Sequence, residues 1–178
     1  MLEAYLEILE LGYFEVGEAF KGLSDDNVWK RPAKGLLSVG ELAGHIAYWE
    51  ALRLAGVEVE HASLAGEEGK PPDVTKIKVK SPLIDERFSY HANTLATEPS
   101  EFHLKMTAVQ VLAELLRAHR ESVACFKELN PDLNSRPEGW PANWTYRSFV
   151  TYLAFHIGYH TGQIYSVRHL LGEETPDN

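Results

Sequence analysis

One cysteine, Cys125, stands among the 178 residues, so no disulfide is available within the chain to hold the fold. A reducing, cytoplasmic setting is expected from that scarcity. Long apolar runs are also missing. Nothing approaches the ~20 consecutive residues that span a bilayer, so a membrane is not an expected partner. Basic clusters are scarce: 17 Lys and Arg stand against 26 Asp and Glu, a formal net charge of -9. Nucleic-acid backbones and anionic lipid surfaces both select clustered Lys and Arg, so nucleic acid is excluded as well. The stretch VTKIKVK is too short and too interleaved to count as such a cluster. The opening MLEAYLEILELGYF carries Glu at intervals and no basic start, and does not read as a signal peptide.

What is present is helical periodicity. With 44% hydrophobic and 24% charged residues, the chain has material for one core, and a single domain over residues 1–178 is expected. Leu2, Leu6, Leu9, Tyr13, Val16, Phe20 and Leu23 alternate spacings of four and three, the mark of one buried helical stripe. Gly22 and Ser24-Asp25-Asp26 stop it. Ser38 followed by Glu41 forms a capping box ahead of a second helix, whose stripe holds Leu42, His45, Trp49 and Leu52. Thr107 and Gln110 form another box ahead of a third, with Val109, Leu112, Leu116, His119, Val123 and Phe126 as its stripe and Asn130-Pro131 as its end. The last helix is expected from about Thr145 to Leu171, with Gly172 as the stop.

Between the second and third helices, residues 57–106 form a loop-rich insertion, a length that often covers a site. Residues 75–80 alternate like a short exposed strand with Lys on its outward positions. Ser81-Pro82 reads as the start of a short extra helix lined by Ile84, Phe88, His91 and Leu95. The fold expected is all-α: a four-helix bundle with a loop-rich insertion and this short helix between the second and third long helices.

The segment LAFHIGYHTGQI, residues 153–164, then stands out. At about 100° per residue, Phe149, Leu153, His156, His160, Ile164, Val167 and Leu171 share a sector of roughly 80°. Two imidazoles therefore sit in the middle of an apolar stripe, where each polar nitrogen needs a partner. Histidines at i and i+4 aim ring nitrogens at one point, which suits a divalent metal. His45 lies mid-stripe on the second helix and can face them, so His45, His156 and His160 are the candidate ligands, with a coordination position left open. The plain alternative is a set of core histidines bonded to carbonyls or a carboxylate. Ile157 occupies the place that a zinc protease of the H-E-x-x-H type gives to Glu, which argues against that chemistry. Three nitrogen ligands suit Zn or Ni best, with Mn and Fe as further candidates.

Other residues carry weaker signals. His119 is a candidate ligand or acid–base group, or else a satisfied boundary residue. His91 reads as structural, His61 and His103 as loop residues, and His169 as solvent-facing. Glu41 is either the capping carboxylate alone or also an acceptor for an imidazole N–H. Tyr152, Tyr159 and Gln163 read as packing residues around the pair, and Cys125 as a small buried hydrophobe. Ala154, Gly158 and Gly162 put small side chains on the opposite face, either to seat the insertion or to meet a second copy.

WKRPAKGLLSVGELAGHIAYWE (29–50) and HIGYHTGQIYSVRHLLG (156–172), with its H-x-x-x-H-x-G-Q-I run, resemble the second and last helices of the DinB/YfiT-like metalloproteins. Residues 57–106 do not match that pattern. The resemblance implies a bundle, often a homodimer, with a divalent metal held by three histidines, here His45, His156 and His160. It also implies a metal-dependent enzyme acting on a small-molecule substrate, such as a transferase or isomerase using a low-molecular-weight thiol cofactor, or a related hydrolase. The competing reading is a non-catalytic metal- or ligand-binding module of stress response.

Overall fold

A computed structural model describes residues 2–56, 73–90, 97–137, 140 and 143–176. The chain is all helical, and none of the described residues forms a strand. Four long helices, α1 (Leu2–Phe20), α3 (Val39–Leu54), α4 (Ala108–Leu129) and α5 (Tyr146–Leu170), make the bundle, and α2 (Asp25–Val28) is a single turn. α5 packs against both α1 and α3, and α4 packs against α3 and, less extensively, α1. α1 and α3 are therefore diagonal to each other, with α4 and α5 between them.

The boundaries follow local chemistry. The Ser38 and Thr107 capping boxes form as the sequence predicts, and Thr145 makes a third with Ser148. α4 ends on Asn130 in the left-handed conformation, and Gly172 (φ 79°) follows the end of α5. α1 buries the expected stripe, with Leu23 closing it from beyond the helix end. The connector then ties two helix starts together. Asp25 Oδ1 accepts the Ala108 amide at 2.8 Å, and Trp29 Nε1 donates to the Met106 carbonyl at 2.9 Å.

Three expectations change. Residues 75–80 are not a strand: a 3-10 turn covers Val74–Lys76, and no partner strand is present among the described residues. The alternation was real as burial, since Ile77 and Val79 face inward while Lys78 and Lys80 are exposed. One backbone bond, Lys78 N to Ala55 O at 3.1 Å, anchors the segment under the end of α3. The helix expected from Ser81 is represented by a 3-10 turn at Glu86–Phe88 capped by Asp85, and His91 and Leu95 lie outside the described residues. Val109 is 76% exposed rather than part of the α4 stripe, which runs through Ala108, Val111, Leu115, Ala118, Ser122 and Phe126. One step of about 100° separates the two faces at that position.

α3 differs most from its sequence pattern. Its single expected stripe is in fact burial all round: of Val39–Leu54, all but His45 are buried, including Glu41, Glu50 and Arg53. Close packing onto the backbone of α3 helps to make this so. At Gly40 a Cβ would come within 2.6 Å of the Trp29 ring, and at Gly44 it would overlap the ring of the fully buried Phe88.

An interior helical Gly→Ala change ordinarily stabilises by about 0.5–1 kcal/mol. At Gly44 the sign should reverse, because overpacking costs about 1–3 kcal/mol. Gly44→Ala is expected to lower the thermal unfolding temperature by several degrees, at about 2–4 °C per kcal/mol. Gly17→Ala, on open surface of α1, should leave it unchanged or raise it in the same calorimetric scan.

Candidate metal centre

The interface of α3 and α5 places His45, His156 and His160 together. His156 and His160 are 5% and 8% exposed, and His45 is half-buried. His156 Nε2 lies 3.2 Å from His45 Nε2 and 3.1 Å from His160 Nε2. One ligand atom from each of the three falls within 4.8 Å of the others.

The outer ring nitrogens set the tautomers. His45 Nδ1 lies 2.8 Å from the Phe88 carbonyl, which can only accept, so Nδ1 carries the proton. His160 Nδ1 lies 2.7 Å from Gln163 Oε1, while Gln163 Nε2 donates to the Tyr159 hydroxyl at 3.2 Å. An amide oxygen can only accept, so with Oε1 facing it His160 also holds its proton on Nδ1. Both rings therefore turn Nε2 lone pairs toward His156 Nε2. His156 Nδ1 is buried without a hydrogen-bond partner. Lone pairs gathered at this separation call for a cation. Metal–nitrogen bonds of ~2.0–2.1 Å at a tetrahedral angle separate the nitrogens by about 3.3–3.4 Å, close to the spacing found. The cluster fits a divalent metal.

Burial keeps these rings neutral, as ligation requires. Desolvation, then the neighbouring His160, pushes His45 down to about 3 and His156 to about 2. Desolvation also lowers His160, against the opposing bond to Gln163.

Aromatic rings wall the cluster. Tyr152 stacks on His156 with ring centroids 5.6 Å apart, Tyr159 meets His160 edge-on at 5.0 Å, and Trp49 meets His45 edge-on at 6.3 Å. Trp49 Nε1 is held by the Ser89 carbonyl at 3.0 Å. Tyr90 brings its ring to 5.5 Å from His45 from a backbone φ of 41°, a region that residues with side chains rarely adopt. Glu41, fully buried, accepts from the Ser38 amide and hydroxyl, from Arg31 and from the Tyr90 hydroxyl. No imidazole among the described residues donates to it. Its part in the site is to cap α3 and hold Tyr90.

The remaining histidines stand elsewhere. His119 does not join the three. It is buried on α4 with Nδ1 2.6 Å from Glu50 Oε1, stacked at 3.7 Å on Tyr13, whose hydroxyl donates to Glu50 at 2.5 Å. Burial lowers its pKa, but Glu50 and Glu10 outweigh that and hold it above the ordinary value. His103 is buried, not simply a loop residue: Nδ1 accepts from the Ser100 amide at 3.1 Å, and Nε2 donates to the Pro82 carbonyl at 2.8 Å. His169 is exposed, as expected. His61 and His91 lie outside the described residues. Cys125 is half-buried, and burial raises its pKa.

The structure adds three participants that the sequence did not single out. Phe88 acts through its carbonyl, which no sequence pattern reveals. Gln163, expected only to pack, fixes the His160 tautomer, and its i+3 spacing was the available signal. Arg53, two turns beyond His45 on α3, is buried beside the aromatic walls.

The arrangement defines a class: a helical bundle with a three-histidine cluster between two of its helices, its inner nitrogens free to coordinate. The sequence matches the DinB superfamily over residues 9–164. The chain belongs to that superfamily. No curated protein and no solved structure matches it.

The depressed imidazole pKa values have a stability consequence. A ring whose folded pKa lies below its unfolded value of ~6.5 stabilises the fold above that pH, and this is lost as pH falls. In protein stripped of metal, the unfolding temperature is expected to drop as pH is lowered from 6.5 toward 4. The drop should be shallower in a His156→Ala/His160→Ala variant, in calorimetry at matched ionic strength.

Proposed function

We propose that the chain binds a divalent metal through His45, His156 and His160 and works as a metal-dependent enzyme on a small molecule, with a low-molecular-weight thiol as cofactor. The observation that carries the metal reading is the pair of Nδ1–H tautomers, set by Phe88 and Gln163, that turn their lone pairs inward. Zn or Ni suits three imidazoles best, with Mn or Fe as further candidates. When bound, such an ion lowers the pKa of a coordinated water or thiol and so supplies a nucleophile near neutral pH. The chain's own residues do the rest. Phe88 and Gln163 orient the rings. Trp49, Tyr152 and Tyr159 exclude water from one side. Tyr90, whose pKa burial and Glu41 raise, keeps its proton and donates its hydrogen bond to Glu41, which fixes its ring beside His45.

The thiol part rests on the superfamily, and a cytoplasmic setting with abundant thiols accords with the lone, half-buried Cys125. No described helix is long and apolar enough to cross a membrane. A second copy of the chain is the partner we assign to the outer face of α5. Gly158 and Gly162 meet nothing within 4 Å there, and Phe155 is exposed beside them. Gly158→Leu should then shift the light-scattering mass toward the monomer, and an unchanged dimer would remove this face from consideration.

Elemental analysis of purified protein should find about one metal per chain. His156→Ala and His160→Ala should abolish stoichiometric binding. Gln163→Ala should weaken affinity by about 10–100-fold in chelator competition. Binding of simple thiols to the loaded protein, followed by thermal shift, decides the next step. If no low-molecular-weight thiol binds, the thiol reading falls and the non-catalytic metal-binding module takes its place.

A further inference from the structure

Arg53 is a buried cation with almost nothing to bind. The residue is 4% exposed, yet among the described residues its guanidinium makes one hydrogen bond, from Nη1 to the Trp49 carbonyl at 3.2 Å. Its Nε is buried with no acceptor. No carboxylate among the described residues pairs with it. Desolvation lowers its pKa to about 10, so it remains charged at neutral pH. The contrast with Arg168, equally buried on α5, is direct. That guanidinium donates to Glu173 at 2.8 Å, to the Ala19 and Lys21 carbonyls at 2.8 and 2.9 Å, and to the Glu174 carbonyl at 2.9 Å. Arg168 is a satisfied structural cation. Among the described residues, Arg53 lacks the partner that a buried charge requires.

Its position says where that partner would come from. The guanidinium carbon lies 4.8 Å from the Trp49 ring centroid and 4.6 Å from that of Tyr152. Trp49 meets His45 edge-on, and Tyr152 stacks on His156. Arg53 is thus one aromatic ring away from the histidine cluster on two sides, and its positive charge lowers the pKa of both His45 and His156. Both rings lie within cation–π distance of the guanidinium, and neither can accept the N–H bonds of its Nε. Arg53 is buried, while Tyr152 against it is 37% exposed. A buried cationic fork and a neutral three-histidine cluster arranged for a cation therefore share two aromatic neighbours, Trp49 and Tyr152.

We propose that Arg53 is a binding site for a carboxylate of the small molecule whose other end reaches the three-histidine centre. This rests on the metal reading above and narrows it to anionic substrates or anionic thiols. The planar fork fits a carboxylate through paired, charge-assisted hydrogen bonds, which the unused Nε and Nη2 donors are free to make.

The test uses dicarboxylates from malonate to adipate and monocarboxylates of the same chain lengths, titrated calorimetrically into metal-loaded protein. One end of a dicarboxylate occupies the open position at the metal, and the other meets Arg53. At the length that bridges the two, the dicarboxylate should bind about 10–100-fold more tightly than its monocarboxylate partner. Arg53→Met should abolish that preference while metal content, measured on the same samples, stays at wild type. Without metal, Arg53→Met should unfold at or above the wild-type temperature, because it removes an unpaired buried charge. Arg53→Gln replaces it if the Met variant does not fold. Equal binding of the two series by wild type, or a preference that survives both substitutions, overturns the proposal. Metal uptake separates this failure from the other: protein that takes up no metal overturns the reading beneath it, and this one with it.

Discussion

The burial of α3 on every side is the constraint from which the rest of the structure follows. A helix with no face to water must satisfy its polar side chains from inside the protein. α3 carries four of them at its centre and ends: Glu41, His45, Glu50 and Arg53. Glu41 is met by the cap of its own helix, by Arg31 from the connector and by Tyr90 from the insertion. Glu50 is met across the bundle by Tyr13 on α1 and His119 on α4. His45 is met by a carbonyl on the insertion and by two histidines of α5. Each solution recruits a different part of the chain, so the polar groups of one helix dictate which segments must close over it.

Two of those solutions handle a buried imidazole in opposite ways. His119 sits between carboxylates, and its charged form is favoured. The stability this gives is present below about pH 6.5 and is lost as pH rises through the raised value. His45 and His156 face other imidazoles, and their neutral forms are favoured, with the reverse dependence. A charged ring beside a carboxylate is a structural strut. A neutral ring with an inward lone pair is a ligand in waiting. The bundle keeps the two apart by placing the first pair where α1, α3 and α4 meet and the second where α3 meets α5.

This division explains what could be read without a structure. The α1 stripe and the capping boxes at Ser38 and Thr107 are local, and local chemistry determines them. The histidine trio was legible because imidazoles in mid-stripe contradict the stripe, and a contradiction of that kind is visible along one helix. The burial of the outer face of α3 was not legible. Glu50 and Arg53 look like solvent residues until Tyr13 and His119 meet the first and Trp49 and Tyr152 the second, and periodicity along one helix carries no information about which distant helices pack on it. Residues 75–80 failed for a related reason. Alternating burial is necessary for a strand, but a strand also needs a partner, and Ile77 and Val79 are buried by plugging the end of α3 instead. Which nitrogen each ligand histidine turns inward depends on the Phe88 carbonyl and the Gln163 amide, contacts of geometry rather than of pattern.

The two buried arginines complete the argument. Arg168 shows what this chain does with a guanidinium that holds the fold together: it surrounds it with a carboxylate and three carbonyls. Among the described residues, Arg53 is given two aromatic rings and one backbone oxygen, and no carboxylate. Replacing a fully paired ion by an apolar residue is often neutral for stability, whereas leaving one unpaired costs several kcal/mol. A chain that meets that cost beside a cluster already arranged for a cation concentrates positive charge at one point of the fold, while its net charge is -9. A negative net charge repels anions in general, so a focused positive site selects those that also fit its geometry.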